Sequence, residues 1–266
     1  GLGGVITGAV VFLVLAGLGA LYSYYFGGAT ALAVAGAQRA DPNQYAQVHH
    51  IVEALAIGDG LPKPDVYVID DPSPNAFATG RDPNHAAVTV TTGLLAMMNR
   101  EELEGVLAHE MSHIKNYDVR LLVIVTTLVA MAALLGSLLL RFTGGFGRSR
   151  DSGSIALIFL VGGILLLGLG YLIGPLMQLA LSRERESLAD VSGVELTRNP
   201  TGLLSALRKL AANDEPLRTY NHATAAMYID DPAQHHQAWF AHLFDTHPPI
   251  QERIAALERI AAVQQT

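Results

Sequence analysis

Three stretches without a charged side chain set the limits on what this chain can fold into: residues 1–37, 121–140 and 155–182. A bilayer core asks for about 20 consecutive apolar residues, and each stretch is long enough to supply them. In the first, large apolar side chains fill residues 5–26, and Tyr22, Tyr24 and Tyr25 stand at its end, where an aromatic belt meets the headgroups. The other two are joined by RFTGGFGRSRDSGS, a glycine- and arginine-rich connection, and read as a transmembrane hairpin. Neither arm carries a charged residue, which argues against a proton or ion pathway through them. Whole-chain balance agrees: 50% hydrophobic, 15% charged, mean hydropathy +0.32, where about a quarter charged is usual for soluble domains.

Between these stretches the composition turns soluble. An amphipathic helix is predicted over residues 43–57 and a strand over 65–69. The proline-rich DPSPNAFATGRDPNH follows as a loop containing Asn75, then a second strand over 86–92. Asn99 is a helix N-cap, and Glu102 completes a capping box. The helix so begun contains HEMSH. His109 and His113, four apart, share one face and can reach one ion, while Glu110 sits about 100° round the helix, able to touch a water there. This H-E-x-x-H spacing is that of helix-borne zinc sites with glutamate as general base, although five residues alone occur by chance. Beyond the hairpin, helices are predicted over 182–198 and 201–212, then a polar irregular segment over 213–236 and a last helix starting at Pro249.

A catalytic zinc site needs a third protein ligand. With no cysteine in the chain, thiolate ligands, thiol catalysis and disulfides are all excluded. An H-E-x-x-H-x-x-G-x-x-H pattern fails at Asn116 and Val119, and the first hairpin arm holds no carboxylate. Asp118 is too near His113 along one helix to bend back to the ion. The helix after the hairpin offers Glu186 and Asp190 on one face, with Ala189 and Gly193 small enough for close approach. Glu186 then serves as ligand, with Asp190 orienting a histidine through its other ring nitrogen. By spacing alone, a charged collar at a membrane exit explains RERE equally well. A net charge of −7 speaks against nucleic acid as partner.

Taken together, PNAFATG, VTTGLL, ELEGVLAHEMSHIKN, the two-span insertion, the E-x-x-x-D at Glu186 and Asp190 and the HPP beginning at His247 resemble the HtpX-type membrane zinc metalloproteases, relatives of the CAAX prenyl proteases. The resemblance implies a mainly α membrane protein. Its zincin-like (gluzincin) α+β catalytic domain, with a small β-sheet, is interrupted by a transmembrane helical hairpin. The divisions are an N-terminal span (1–37, with a further span upstream in the family), a first half-domain (38–118), the hairpin (119–182) and a second half-domain (183–266). One zinc ion is held by His109, His113 and Glu186, with Glu110 as base and Asp190 behind a ligand. Asn75 and His247 contact substrate or the oxyanion, and Arg253 ties the last helix to an active-site carboxylate. The implied setting is the bacterial inner membrane with the catalytic domain facing the cytoplasm; arginines and lysines on both sides leave the charge rule indecisive. The implied activity is proteolysis of misfolded or membrane-embedded polypeptides, in protein quality control and stress response. We expect such substrates to pair, extended, with the strand at 86–92. A narrow-substrate CAAX-type peptidase and a scaffold stapled by structural zinc are the alternatives.

Overall fold

The computed structural model describes residues 2–145, 157, 160–168, 183–212 and 250–264. A long helix α1 (Leu2–Val34) leads into β1 (Gln38–Arg39), α2 (Ala46–Asp59), β2 (Asp65–Ile69) and β3 (Ala76–Gly80). A 3-10 turn (Pro83–His85), β4 (Ala86–Thr91), α3 (Thr92–Met97), α4 (Arg100–Lys115) and α5 (Asp118–Gly145) follow. After α5 come α6 (Arg183–Thr197), α7 (Pro200–Ala211) and α8 (Ile250–Gln264). Residues 160–168 are helical. Among the described residues, no helix is long and apolar enough to cross a membrane. The expected hairpin is therefore not established by the fold, and most of its second arm lies outside the described residues.

The strands form one mixed sheet in the order β1-β2-β4-β3. β2 and β4 run parallel, and the two outer pairings are antiparallel. β3 corrects the sequence reading, which placed Ala76–Gly80 in a loop. Its alanines and glycine carry little strand propensity, and pairing with β4 supplies what propensity does not. A second correction follows from the order. β4 is hydrogen-bonded to β2 on one side and β3 on the other, so its backbone cannot take a substrate strand.

One face of the sheet joins the main core. Val66, Val68, Ala76, Ala78, Val88 and Val90 pack there with α2 and the apolar stripe of α4. That stripe, Leu103, Leu107, Met111 and Ile114, is at most 2% exposed, and each such side chain contributes about 1.5–3 kcal/mol on burial. The opposite face, with Phe77 and Ala87, meets Ala31 and Leu32 of α1, Ala35 just beyond it and Val123 of α5. The sheet thus separates the α4 layer from the α1–α5 layer.

Two close approaches place α4. A Cβ on Gly105 would lie 2.6 Å from Leu203 N, and one on Gly202 would lie 2.6 Å from Glu101 O, so α7 rests against bare backbone. On the other flank, a Cβ on Gly193 of α6 would stand 3.2 Å from the amide nitrogen of His109. The small-residue face expected beside Glu186 is the face that meets the histidine helix, and Ala189 there is fully buried.

Candidate metal centre

Helix α4 starts as its sequence asks. The Asn99 side chain accepts from Glu102 N, and the Glu102 carboxylate accepts from Asn99 N, closing the capping box. Glu102 is also held by Lys209 Nζ and Ser205 Oγ, each at 2.6 Å. Burial alone would raise its pKa; these donors more than offset that and hold it below the usual value.

Two turns on, His109 and His113 project from α4 with their Nε2 atoms 3.2 Å apart. Glu186 of α6 faces both: Oε2 lies 3.5 Å from His109 Nε2, and Oε1 lies 3.5 Å from His113 Nε2. One atom from each of the three residues falls within 4.8 Å of the others, and all three residues are buried.

The outer ring nitrogens are each fixed by a carboxylate. His109 Nδ1 lies 2.9 Å from Asp190 Oδ1, and His113 Nδ1 lies 3.0 Å from Asp118 Oδ2. A carboxylate can only accept, so each Nδ1 is the donor and each Nε2 lone pair turns inward. Two imidazole lone pairs and a carboxylate then converge on one small buried space. Such groups repel one another unless a cation or a proton lies among them, and a nitrogen–nitrogen–carboxylate set suits zinc. Without the ion, a proton does the work. Burial and the Arg253 guanidinium push the His109 pKa down, but Asp190 and Glu186 more than offset them and raise it to about 9.

Behind His109, Arg253 of α8 grips Asp190 with Nε to Oδ2 at 3.0 Å and Nη2 to Oδ1 at 2.7 Å. Burial disfavours the charge on Asp190, yet Arg253 and His109 hold its pKa at about 2. The Arg253 pKa is raised in turn: burial opposes its charge, and Asp190, Glu186 and Glu110 more than compensate. Glu110 is 3% exposed on the turn between the two histidines. Asn75, at the head of β3, is buried; its backbone N–H donates to Thr91 Oγ1 at 2.8 Å, and its side-chain oxygen accepts from Ala76 N at 2.9 Å. His247 lies outside the described residues.

Sequence reasoning missed the part played by Asp118. α4 ends at Lys115, Tyr117 adopts a left-handed φ of 61°, and the chain turns before α5 starts at Asp118. The turn brings Asp118 back alongside His113, where Arg185 of α6 also pairs with it. No glycine or proline marks that turn in KNYDV. Arg253, by contrast, is the residue expected to reach a carboxylate from the last helix, and it pairs with Asp190.

Comparison with known proteins bears on what such a centre does. The profile of peptidase family M48 matches residues 42–261, running from before α2 into α8. The chain belongs to peptidase family M48. A protease HtpX homolog of Lactobacillus helveticus (strain DPC 4571) is 51% identical over 221 residues, covering 80% of this chain and 73% of the relative. The homolog of Caldanaerobacter subterraneus subsp. tengcongensis is 42% identical over 259 residues, covering 96% of this chain and 85% of its own. The crystal structure of S. mikatae Ste24p shares the fold with a TM-score of 0.53 at 21% identity. That match covers 93% of this chain and 57% of Ste24p. M48 is a metallopeptidase family, so the chain is assigned to the proteases, and its M48 region encloses His109, His113, Glu186, Asp190 and Arg253.

Proposed function

We propose that this chain is a membrane-integrated zinc endopeptidase of HtpX type, acting on misfolded or membrane-embedded polypeptides. One observation carries the reading: two histidine Nε2 atoms and the Glu186 carboxylate converge in a buried space, with Glu110 on the adjoining turn. His109, His113 and Glu186 would hold the ion. When bound, zinc supplies an acidified water and polarises the scissile carbonyl. Glu110 takes a proton from the attacking water at its carboxylate oxygen and delivers it to the leaving amine nitrogen. Asp190 and Asp118 keep both imidazoles donating through Nδ1, and Arg253 fixes Asp190 in place. Asn75 and His247 are assigned to the substrate carbonyl and the developing oxyanion, in keeping with the resemblance.

Membrane integration is supported by the uncharged stretches at residues 1–37, 121–140 and 155–182. The soluble half-domains, 38–118 and 183–266, then share one side, assigned to the cytoplasm. A scaffold with structural zinc is disfavoured because a closed four-ligand site has no use for a buried glutamate beside two histidines. Zinc analysis paired with casein cleavage tests the reading. One zinc per chain and chelator-sensitive cleavage are expected; stoichiometric zinc without any cleavage would favour the scaffold.

A further inference from the structure

On the sheet face opposite the metal centre, α1 and the sheet enclose a cavity of about 350 Å³. Its wall is Tyr24, Tyr25 and Gly28 of α1, its floor includes Thr79, and Arg81 stands at its rim. The Arg81 guanidinium lies 5.2 Å from the centre of the Tyr25 ring and 5.9 Å from that of Tyr24. Arg120 of α5 lies 5.9 Å from the same Tyr24 ring and 4.7 Å from that of Tyr117, and its Nε donates to Arg81 O at 2.6 Å. Two guanidinium groups are therefore held around one tyrosine.

Lys63 and Asp65 also line the cavity, but Asp65 is paired with Arg39 and Lys63 with Glu53, so the charge of the two guanidinium groups is only partly compensated. Asp82 is 3.5 Å from Arg81 but is already bound by His85 Nδ1 at 2.8 Å. Among the described residues, Arg120 pairs with no carboxylate. Thr79 Oγ1, in a residue 1% exposed, has no hydrogen-bond partner among the described residues. A buried hydroxyl left so is unfavourable, and a ligand oxygen would satisfy it. Leading away from the cavity along α1, Val14, Leu18, Leu21 and Tyr25 form one stripe at helical spacing, each 55–58% exposed. The stripe is about 16 Å long, the reach of most of an acyl chain.

We infer that this cavity binds the headgroup of an anionic phospholipid. Its phosphate lies against Arg81, with Arg120, outside the cavity lining, adding positive charge beside Tyr24; a headgroup hydroxyl meets Thr79 Oγ1, and one acyl chain runs along the Val14–Tyr25 stripe. An anionic lipid brings a net negative headgroup and an apolar tail together; free phosphate lacks the tail, and a zwitterionic lipid sets a cation beside its phosphate, against the two guanidinium groups. The inference rests on the membrane reading given above.

The full chain, purified in neutral detergent, is titrated with phosphatidylglycerol, phosphatidylcholine of the same chains, and inorganic phosphate, with lipid retention read by native mass spectrometry. Phosphatidylglycerol should bind at least about tenfold more tightly than phosphatidylcholine, with inorganic phosphate inert at millimolar concentration. Arg81→Gln with Arg120→Gln should remove that preference, and Thr79→Val should weaken it severalfold while leaving the melting temperature near wild type. Should the double variant not fold, Arg120→Gln alone, with a severalfold loss, takes its place. Equal binding of the two lipids, a preference that survives these substitutions, or displacement by inorganic phosphate would overturn the inference. Retention in membranes through alkaline carbonate extraction tests the membrane reading separately: release there sinks that reading, whereas retention without lipid preference sinks only the site.

Discussion

Asp118, the first residue of α5, accepts from Nδ1 of His113 at 3.0 Å, although the histidine belongs to α4. The candidate metal centre is thereby tied to the helix that leads away from the α4 layer. Asp118→Asn keeps the shape but weakens the acceptor and permits the wrong tautomer. We expect zinc affinity to fall about 10–100-fold with the fold retained, measured by competition against a chromogenic chelator. An unchanged affinity would mean that His113 needs no orienting partner.

Asp190 and Arg253 form a buried bidentate pair, and breaking one side leaves the other charge stranded. Asp190→Ala should cost about 3–5 kcal/mol in denaturant unfolding. Combining Asp190→Asn with Arg253→Met should cost clearly less than the sum of the two single substitutions, since neither charge is then left alone.

Protonation of the centre should be visible in the metal-free protein. His109 has its pKa raised from 6.5 to about 9, so its protonated form stabilises the fold. That contribution is complete below pH 6.5 and is lost as pH rises through about 9. Melting of chelated protein should therefore weaken across this window. Zinc binding between these limits should release protons, and calorimetry in buffers of different ionisation enthalpy reads that release directly.

The approach of α7 to α4 leaves no room at Gly105, where a new Cβ would meet backbone at 2.6 Å. Gly105→Ala should destabilise the protein by about 1–3 kcal/mol or more despite alanine's better helix propensity. Gly193→Ala, with 3.2 Å available, calls for a shift of only tenths of an ångström. That shift displaces α6 and Glu186, so zinc affinity should fall measurably while the melting temperature of the metal-free protein stays near wild type.

The parts of the site governed by local rules were legible in the amino-acid sequence. Asn99 and Glu102 announced the start of α4, its apolar stripe gave the buried side, and elimination among carboxylates led to Glu186 beside Ala189 and Gly193. What escaped depends on tertiary context. β3 is a strand because β4 pairs with it, not because Ala76–Gly80 favours strand. Asp118 is not among the converging ligand atoms, but its hold on His113 Nδ1 escaped because the left-handed Tyr117 that turns the chain has no local signature. The choice of residues 86–92 as substrate partner failed because strand order, which alternation does not encode, put that strand inside the sheet.

In the proposed mechanism Glu110 moves the proton at a metal centre that His109, His113 and Glu186 would build. Glu110→Gln preserves size and leaves the three ligating side chains untouched. Measured on one preparation, this variant should retain one zinc per chain while casein cleavage falls about 10²–10⁴-fold. Full zinc occupancy with wild-type cleavage would exclude Glu110 as the general base.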